Sequence, residues 1–318
     1  MYNLREIAEN FKTAGNFKGT ILLNEKMAPH TTFRVGGPAP LFIEPADTSS
    51  LITALSVFRE QRIPYFILGG GSNIVVSDAG FDGAVVSMNS LKEIVRSDMG
   101  CVPVLEDSVF LKCGAGLSVA SLVNYCTGNH FTGMEPFAGL PGTIGGAVYM
   151  NARCFDLSIS DVFASAEYID TGTLEIRKYV FNKDDWDYKK SPFQTGGKII
   201  VAAVLKCVKA EESAAIAVRC AHFIEERRAK GHFKYPSAGS VFKNNHAFGK
   251  PSGVIIDEAG LKGKQIGGAQ IAPWHGNFII NINNASESDI RALVDYTIST
   301  VKEKTGFILE PEIIFCGK

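Results

Sequence analysis

Hydrophobic positions along this chain follow two different spacings. Apolar residues three and four positions apart predict amphipathic helices in segments 4–11, 51–58, 119–126, 215–224 and 290–301. Short apolar runs predict buried strands at 65–68 and 84–88, and a further strand is predicted at 31–37. Because the helix at 51–58 separates the strands at 31–37 and 65–68, we expect the chain to begin with a β-α-β arrangement.

Capping residues mark where several of these helices begin and end. Asp47 or Thr48 is placed to start the second helix, which must stop before Pro64, and Ser118 is placed to start the third. Ser286 and Asp289 have the spacing of a capping box at the start of the last helix, and Gly306 follows its end.

The later strands have a different pattern. A short alternating pattern at 91–113 predicts antiparallel strands, and segments 163–170, 175–181 and 198–208 are also predicted to be strands. After residue 211, helical patterns alternate with strand-like segments at 278–282 and 307–315. The segment 211–318 therefore predicts a separate α+β unit.

Charge and composition exclude several classes of protein. The 32 Lys and Arg residues balance the 33 Asp and Glu residues, so nothing favours nucleic acid or an anionic membrane as a partner. The first ten residues lack a signal-peptide core, and the longest apolar run, 199–205, is too short to span a membrane. The seven cysteines include no CxxC pair, and the six histidines include no HxxxH pair. We expect a cytoplasmic protein with reduced cysteines and no metal site, and no protein partner follows from the sequence.

Two glycine-rich segments are the main candidates for chemistry. Segment 133–152 holds five glycines and two prolines among apolar residues, and GGGSN at 69–73 follows a predicted strand. Glycine lets a backbone come close to a ligand, and bare N–H groups can converge on a pyrophosphate. Two such segments suggest a dinucleotide held between them, although a buried turn between packed elements is the alternative. Neither segment has the GxGxxG pattern that opens a helix, and neither is a P-loop.

Five segments in fixed order carry a resemblance to a known family: LGGGSNIVVSDAGFDG (68–83), GLPGTIGGAVYMNA (139–152), AGSVFKNN (238–245), AGLKGKQIGGAQI (259–271) and LEPEI (309–313). From about residue 31 onward the chain resembles the UDP-N-acetylenolpyruvoylglucosamine reductase family, in its shorter subclass. The resemblance implies an α+β protein in which a two-subdomain FAD-binding fold of the p-cresol methylhydroxylase type precedes a C-terminal α+β substrate-binding domain. We expect an N-terminal helix and lead-in at 1–30, FAD-binding subdomains at about 31–97 and 98–210, and the UDP-sugar domain at 211–318.

The resemblance also implies the cofactors and the reaction. NADPH reduces FAD, and the flavin passes a hydride to the enolpyruvyl group of a UDP-sugar in the synthesis of peptidoglycan precursors. FAD is expected to be bound without a covalent link, because neither glycine segment holds a histidine or cysteine. Expected cofactor contacts are Gly69, Gly70, Gly71, Ser72, Asn73, Gly139, Pro141, Gly142, Thr143, Gly145, Gly146 and Asn151.

Reduction of the enolpyruvyl group leaves negative charge that must be stabilised and a carbon that must be protonated. The resemblance places the proton donor at Ser240 and an acid at Glu310, although a serine in AGS is by itself more typical of a turn. Because a serine hydroxyl is a poor acid, the donor requires a neighbouring cation or an acidic relay, and Lys243 and Lys230 are the candidate cations. Expected substrate contacts are Tyr188, Arg228, Lys230, Lys243, Asn244 and His275.

One departure from the family concerns a catalytic arginine. The family has Tyr-Arg-x-Ser where this chain has Tyr188-Lys189-Lys190-Ser191, and lysine is a point charge where arginine offers a planar fork. Arg153 stands where the family usually has glycine. Two explanations stay open, unrelated changes or a compensating exchange, and our hypothesis gives the catalytic role to Lys189.

Two alternative functions also stay open. One is an FAD-linked oxidase or dehydrogenase of the same fold, which would not need Ser240. The other is a nucleotide-sugar-binding protein that has lost catalysis, which the change to Lys189 permits.

Overall fold

The structure is a computed structural model that describes residues 3–13, 15–97, 107–210 and 212–318. Within these residues the helices are α1 (Leu4–Thr13), α2 (Thr48–Glu60), α3 (Val119–Gly128), α4 (Ile144–Tyr149), α5 (Ile159–Val162), α6 (Ser213–Ala229), α7 (Ser252–Glu258) and α8 (Glu287–Thr305). In the same residues none of these helices is long and apolar enough to cross a membrane.

Among the described residues, the strands have eight residues or fewer, except β13, which has 12. They are β1 (Gly19–Lys26), β2 (Pro38–Pro45), β3 (Tyr65–Leu68), β4 (Ile74–Val76), β5 (Ala84–Ser87), β6 (Ile94–Arg96), β7 (Ser108–Gly114), β8 (Phe131–Thr132), β9 (Arg153–Cys154), β10 (Leu157–Ser158), β11 (Phe163–Asp170), β12 (Ile176–Val180), β13 (Lys198–Lys209), β14 (Gln265–Ile266), β15 (Ala269–Ile271), β16 (Ile279–Asn281) and β17 (Ile314–Cys316).

The chain forms two compact units that each draw on separate stretches of sequence. The first unit comprises residues 1–23, 41–70 and 83–225, and the second comprises 24–40, 71–82 and 226–318. The chain therefore passes between the units more than once. The domain limits expected near residues 30 and 210 stay predictions, and part of the strand pattern expected at 91–113 lies outside the described residues.

The first unit contains the predicted β-α-β arrangement, with β2 as its first strand. In this unit β5 pairs in parallel with both β2 and β3, and α2 connects β2 to β3. Asp47 begins α2, because its side chain accepts a hydrogen bond from Ser50 N at 2.7 Å. The predicted cap of α3 at Ser118 is also confirmed.

An antiparallel sheet forms the other half of this unit. Its strand order is β12-β11-β13-β7-β6, and β8 pairs with β13. The predicted strands at 163–170, 175–181 and 198–208 are thus confirmed as β11, β12 and β13. The apolar side of α3 packs with this sheet in one buried core that includes Leu111, Leu122, Val123 and Leu205.

The second unit contains an antiparallel sheet in the order β14-β15-β16 and a parallel pair, β4 with β17. The predicted capping box at Ser286 and Asp289 and the left-handed Gly306 that ends α8 are both confirmed. Asp78 also stabilises the start of α8, because its carboxylate accepts hydrogen bonds from Glu287 N at 2.8 Å and Ser288 N at 3.1 Å.

Of the strands predicted in this unit, one is wrong and one is confirmed only at its end. Segment 31–37 is a turn: the Thr31 hydroxyl donates to Val35 O at 3.0 Å and accepts from Val35 N at 3.2 Å, and Arg34 has φ of 58°. Such a local side-chain bond competes with strand pairing. Of segment 307–315, only Ile314 and Phe315 belong to a strand, β17, because Pro311 lacks an N–H and meets Phe242 in an isolated bridge.

Candidate active site

The two glycine-rich segments meet within the first unit. A Cβ atom at Gly70 would lie 2.5 Å from the Cα atom of Gly142, and one at Gly69 would lie 2.8 Å from Thr143 Oγ1. Distances this short leave no room for a side chain. The absence of side chains at these glycines is therefore what allows the two segments to touch.

The second glycine segment opens a short helix instead of continuing as a loop. Thr143 caps α4, and its hydroxyl accepts a hydrogen bond from Gly146 N at 3.5 Å. Gly145 N donates to Ala115 O at 2.9 Å, and a Cβ atom at Gly145 would lie 2.8 Å from the Cβ atom of Ala115. At Gly146 a Cβ atom would meet only Thr143 Oγ1, at 3.6 Å. Packing therefore accounts for Gly145, whereas Gly146 borders space that the described residues do not fill.

These features fit a dinucleotide such as FAD. Gly139 and Gly142 have φ of 74° and 107°, Pro141 is exposed, and Gly146 presents a bare backbone. A backbone of this kind can approach a pyrophosphate closely. The cofactor contacts expected in this unit stay predictions that the geometry favours.

The rest of the first glycine segment belongs to the second unit. Gly71 is buried with φ of 62°, and a Cβ atom there would lie 2.0 Å from His30 O. The Asn73 amide donates to Glu312 O at 3.0 Å, and Ile314 N donates to Asn73 O at 2.9 Å. Asn73 thus has a structural role beside β17, and the expected cofactor contacts of Gly71, Ser72 and Asn73 stay predictions.

The turn that carries Lys189 is bonded to the end of α4. The amide of the buried Asn151 donates to Asp187 O at 2.9 Å and accepts from Ser160 N at 3.0 Å. Ser191 Oγ donates to Tyr149 O at 2.7 Å. Lys189 itself is left-handed, with φ of 57°. Asn151 therefore anchors the turn of Tyr188 and Lys189 to the second glycine segment.

Arg153 is already engaged within its own hairpin. Its guanidinium lies 3.1 Å from Asp156 Oδ1 and donates to Ser158 Oγ at 3.3 Å, on strands β9 and β10. These partners give Arg153 a local role. They favour Lys189 over Arg153 as the cation that takes the catalytic role of the family's arginine.

In the second unit, the chain around Ser240 lies between two other segments. Ser240 forms an isolated bridge with Phe278, and Val241 N donates to Asn277 O at 2.9 Å. On the other side, Lys243 N donates to Glu310 O at 2.9 Å. We call residues 240–243 the central segment, because it holds both Ser240 and the backbone partner of Glu310.

Asn277 fixes this central segment with its side chain. Its amide donates to Phe242 O and accepts from Phe242 N, both at 2.8 Å, and the residue is 4% exposed. The buried amide of Asn277 thus bonds to Phe242 as the backbone of a neighbouring strand would.

The cations expected near Ser240 have carboxylate partners. The ammonium of Lys243 pairs with the carboxylate of Glu310, and the ammonium of Lys230 lies 3.5 Å from Glu226 Oε2. Lys243 is the cation held on the central segment itself. Asn244 follows it, and its side chain accepts from Ser252 N at 2.9 Å at the start of α7.

Two histidines flank Phe278. Burial, with Arg227, His275 and Lys230 nearby, lowers the pKa of His232 to about 4. Burial also lowers the pKa of His275, whose Nδ1 accepts from Asn277 N at 3.2 Å. A neutral His275 therefore keeps its proton on Nε2 and can donate one hydrogen bond to a substrate acceptor.

Comparison with known proteins first defines the class. Residues 39–176 match the family model described as FAD binding domain. Residues 231–316 match the model described as UDP-N-acetylenolpyruvoylglucosamine reductase, C-terminal domain. With the glycine segments described above, these matches define an FAD-dependent oxidoreductase and confirm the predicted fold class.

Three named relatives identify the family. The UDP-N-acetylenolpyruvoylglucosamine reductase of Treponema denticola is 46% identical over 311 residues, covering 94% of each chain. That of Borreliella burgdorferi is 38% identical over 310 residues, covering 96% of this chain and 99% of the relative. The solved reductase from Thermus caldophilus matches with a TM-score of 0.74 and 29% identity, covering 94% of this chain and 99% of its own. This chain belongs to the UDP-N-acetylenolpyruvoylglucosamine reductase family.

Proposed function

We propose that this chain catalyses the NADPH-dependent, FAD-mediated reduction of UDP-N-acetylenolpyruvoylglucosamine to UDP-N-acetylmuramate. The observation that carries the proposal is the 46% identity to a named reductase over 94% of both chains. The central segment supports the proposal, because it contains Ser240 and is bonded through Lys243 to Glu310, and this reaction requires a proton donor and a second catalytic group at the substrate.

FAD, when bound, supplies the transfer of a hydride from NADPH to the enolpyruvyl carbon. The glycines of the two segments would let the backbone come close to the cofactor. Ser240 holds the proton that is delivered to the neighbouring carbon, and the carboxyl group of Glu310 acts beside it at the substrate. Lys189, on the turn bonded to α4, stabilises the negative charge that develops at the substrate carboxylate.

The UDP part of the substrate requires cations and hydrogen-bond donors. Arg228 and Lys230 at the end of α6 supply positive charge toward the diphosphate, and Tyr188 and Asn244 supply polar contacts. His275 donates from Nε2 to a substrate acceptor, because its Nδ1 is already an acceptor of Asn277 N. None of these contacts requires a metal ion.

The product class defines a cellular role. UDP-N-acetylmuramate is a precursor of peptidoglycan, so the enzyme acts in cell wall biogenesis and through it in cell shape, cell division and the cell cycle. We propose that it acts in the cytoplasm, where its nucleotide-sugar substrate and NADPH are found.

Two measurements test the function. The purified protein is expected to show a flavin absorption spectrum, and acid denaturation is expected to release all of the yellow chromophore. Anaerobic oxidation of NADPH is expected to continue past one equivalent of flavin only when UDP-N-acetylenolpyruvoylglucosamine is present. A colourless protein would favour the non-catalytic binder, and turnover with oxygen and small alcohols would favour the oxidase.

A further inference from the structure

The ion pair between Lys243 and Glu310 joins two parts of the proposed active site. The backbone of Lys243 is fixed at both of its polar groups: its N–H donates to Glu310 O at 2.9 Å, and its carbonyl accepts from Ser252 Oγ at 2.6 Å. Ser252 is fully buried. The side chain of Lys243 therefore extends from a backbone that is held in place by two hydrogen bonds.

Glu310 lacks such anchoring at its side chain. The carboxyl group is 69% exposed, whereas the Lys243 side chain is 27% exposed. In the part of the chain that the structure describes, the ammonium of Lys243 donates a hydrogen bond to this carboxylate. A long exposed side chain without a partner samples many rotamers, and only some of them point at a bound substrate.

We propose that Lys243 is a positioning residue that holds the carboxyl group of Glu310 in the orientation needed for reduction of the substrate. The inference rests on the proposed function, in which the carboxyl group of Glu310 acts at the substrate. It gives Lys243 a role that differs from direct binding of the UDP-sugar, which the sequence predicted. The ion pair is solvent-exposed and contributes little to stability, so its effect is expected in the rate.

A double-mutant cycle separates these two roles. The enzyme is reduced with NADPH without oxygen and then mixed with UDP-N-acetylenolpyruvoylglucosamine in a stopped-flow instrument. Lys243→Met is expected to slow the maximal rate of flavin reoxidation by roughly 2- to 10-fold, the scale of one long side chain losing its fixed orientation. The rate of flavin reduction by NADPH is expected to stay at the parent value.

The same substitution is then made in a Glu310→Gln background. If Lys243 acts through Glu310, Lys243→Met is expected to slow Glu310→Gln by less than about 2-fold, because the group to be positioned is gone. Lys243→Arg is expected to recover most of the parent rate, because arginine can also pair with a carboxylate. Lys250→Met is the matched control, since Lys250 forms an exposed pair with Glu258 at 2.6 Å in the same unit.

The outcomes distinguish this inference from the proposed function. An equal loss from Lys243→Met in both backgrounds, or a raised half-saturating substrate concentration at an unchanged maximal rate, would overturn it in favour of direct substrate binding. A Lys243→Met enzyme as fast as the Lys250→Met control would also overturn it. Failure of the unaltered enzyme to be reoxidised by the UDP-sugar would overturn the proposed function, and this inference with it.

Discussion

The two hydrogen bonds between the Asn277 side chain and the backbone of Phe242, which we call the clamp, give the sharpest test of how the central segment is held. Asn277→Leu keeps a branched side chain of similar length but removes both polar atoms. The N–H and C=O groups of Phe242, a residue that is 2% exposed, then lose their partners at 2.8 Å. A buried backbone group left without a partner costs about 1–3 kcal/mol, so the two together cost about 2–6 kcal/mol of unfolding free energy.

The assay uses the distribution of tryptophan between the units. The chain has two tryptophans, of which Trp186 lies in the first unit and Trp274 in the second. In a Trp186→Phe background, fluorescence of Trp274 during urea unfolding reports on the second unit. Asn277→Leu is expected to lower the urea concentration at the unfolding midpoint without changing the dependence of the unfolding free energy on urea concentration.

Asn245→Leu is the matched control in the same unit. The side chain of this exposed residue accepts one hydrogen bond, from Ala247 N at 3.0 Å, so its loss is expected to cost about 1 kcal/mol or less. Equal destabilisation by the two substitutions would refute the reasoning. The clamp also positions Ser240, so Asn277→Leu is expected to slow flavin reoxidation more than flavin reduction.

Four further outcomes are expected. Ser240→Ala should leave flavin reduction by NADPH near the parent rate while slowing reoxidation by substrate ~10²- to 10⁴-fold in stopped flow, the scale of a lost general acid. Lys189→Ala should lower the turnover number by the ~10²-fold scale of one lost charge-stabilising donor, and Arg153→Ala should change it little. Gly146→Val should lower the ratio of flavin to protein absorbance, because its side chain enters space that no described residue fills. His232 has a folded pKa of about 4 against an ordinary value of 6.5, so the unfolded chain takes up the proton first. The free energy of unfolding should therefore fall as the pH drops from about 6.5 to 4, and it should fall less in the His232→Gln protein.

Controls separate these outcomes from general damage. Gly145→Val should destabilise the first unit through Ala115, so a folded Gly146→Val protein with full flavin content would remove Gly146 from the cofactor site. Reoxidation of Ser240→Ala at the parent rate would exclude the serine as donor. Near-normal turnover of Lys189→Ala, with a large loss in Arg153→Ala, would reverse our assignment. For the pH prediction, the exposed His222→Gln should leave the acid loss of stability unchanged, and equal losses in the parent and His232→Gln would contradict it.

Much of the local structure could be predicted from the sequence. Ser286, Asp289 and Gly306 define α8 because capping depends on residues within one turn of the helix end. Strands β11, β12 and β13 lie where the sequence predicts strands, and the sequence motifs indicate the family. Segment 31–37 was predicted as a strand but forms a turn, because the Thr31 hydroxyl bonds to the backbone of Val35.

The sequence could not specify which residues meet across long distances. Asn277 reaches Phe242 across 35 positions, and Lys243 reaches Glu310 across 67. Gly145 and Gly146 are adjacent residues of the same type, yet only Gly145 packs against Ala115. Residue type and spacing determine what a segment can form by itself. Its side-chain partners depend on which other segment the folded chain places against it, and only the tertiary structure decides that.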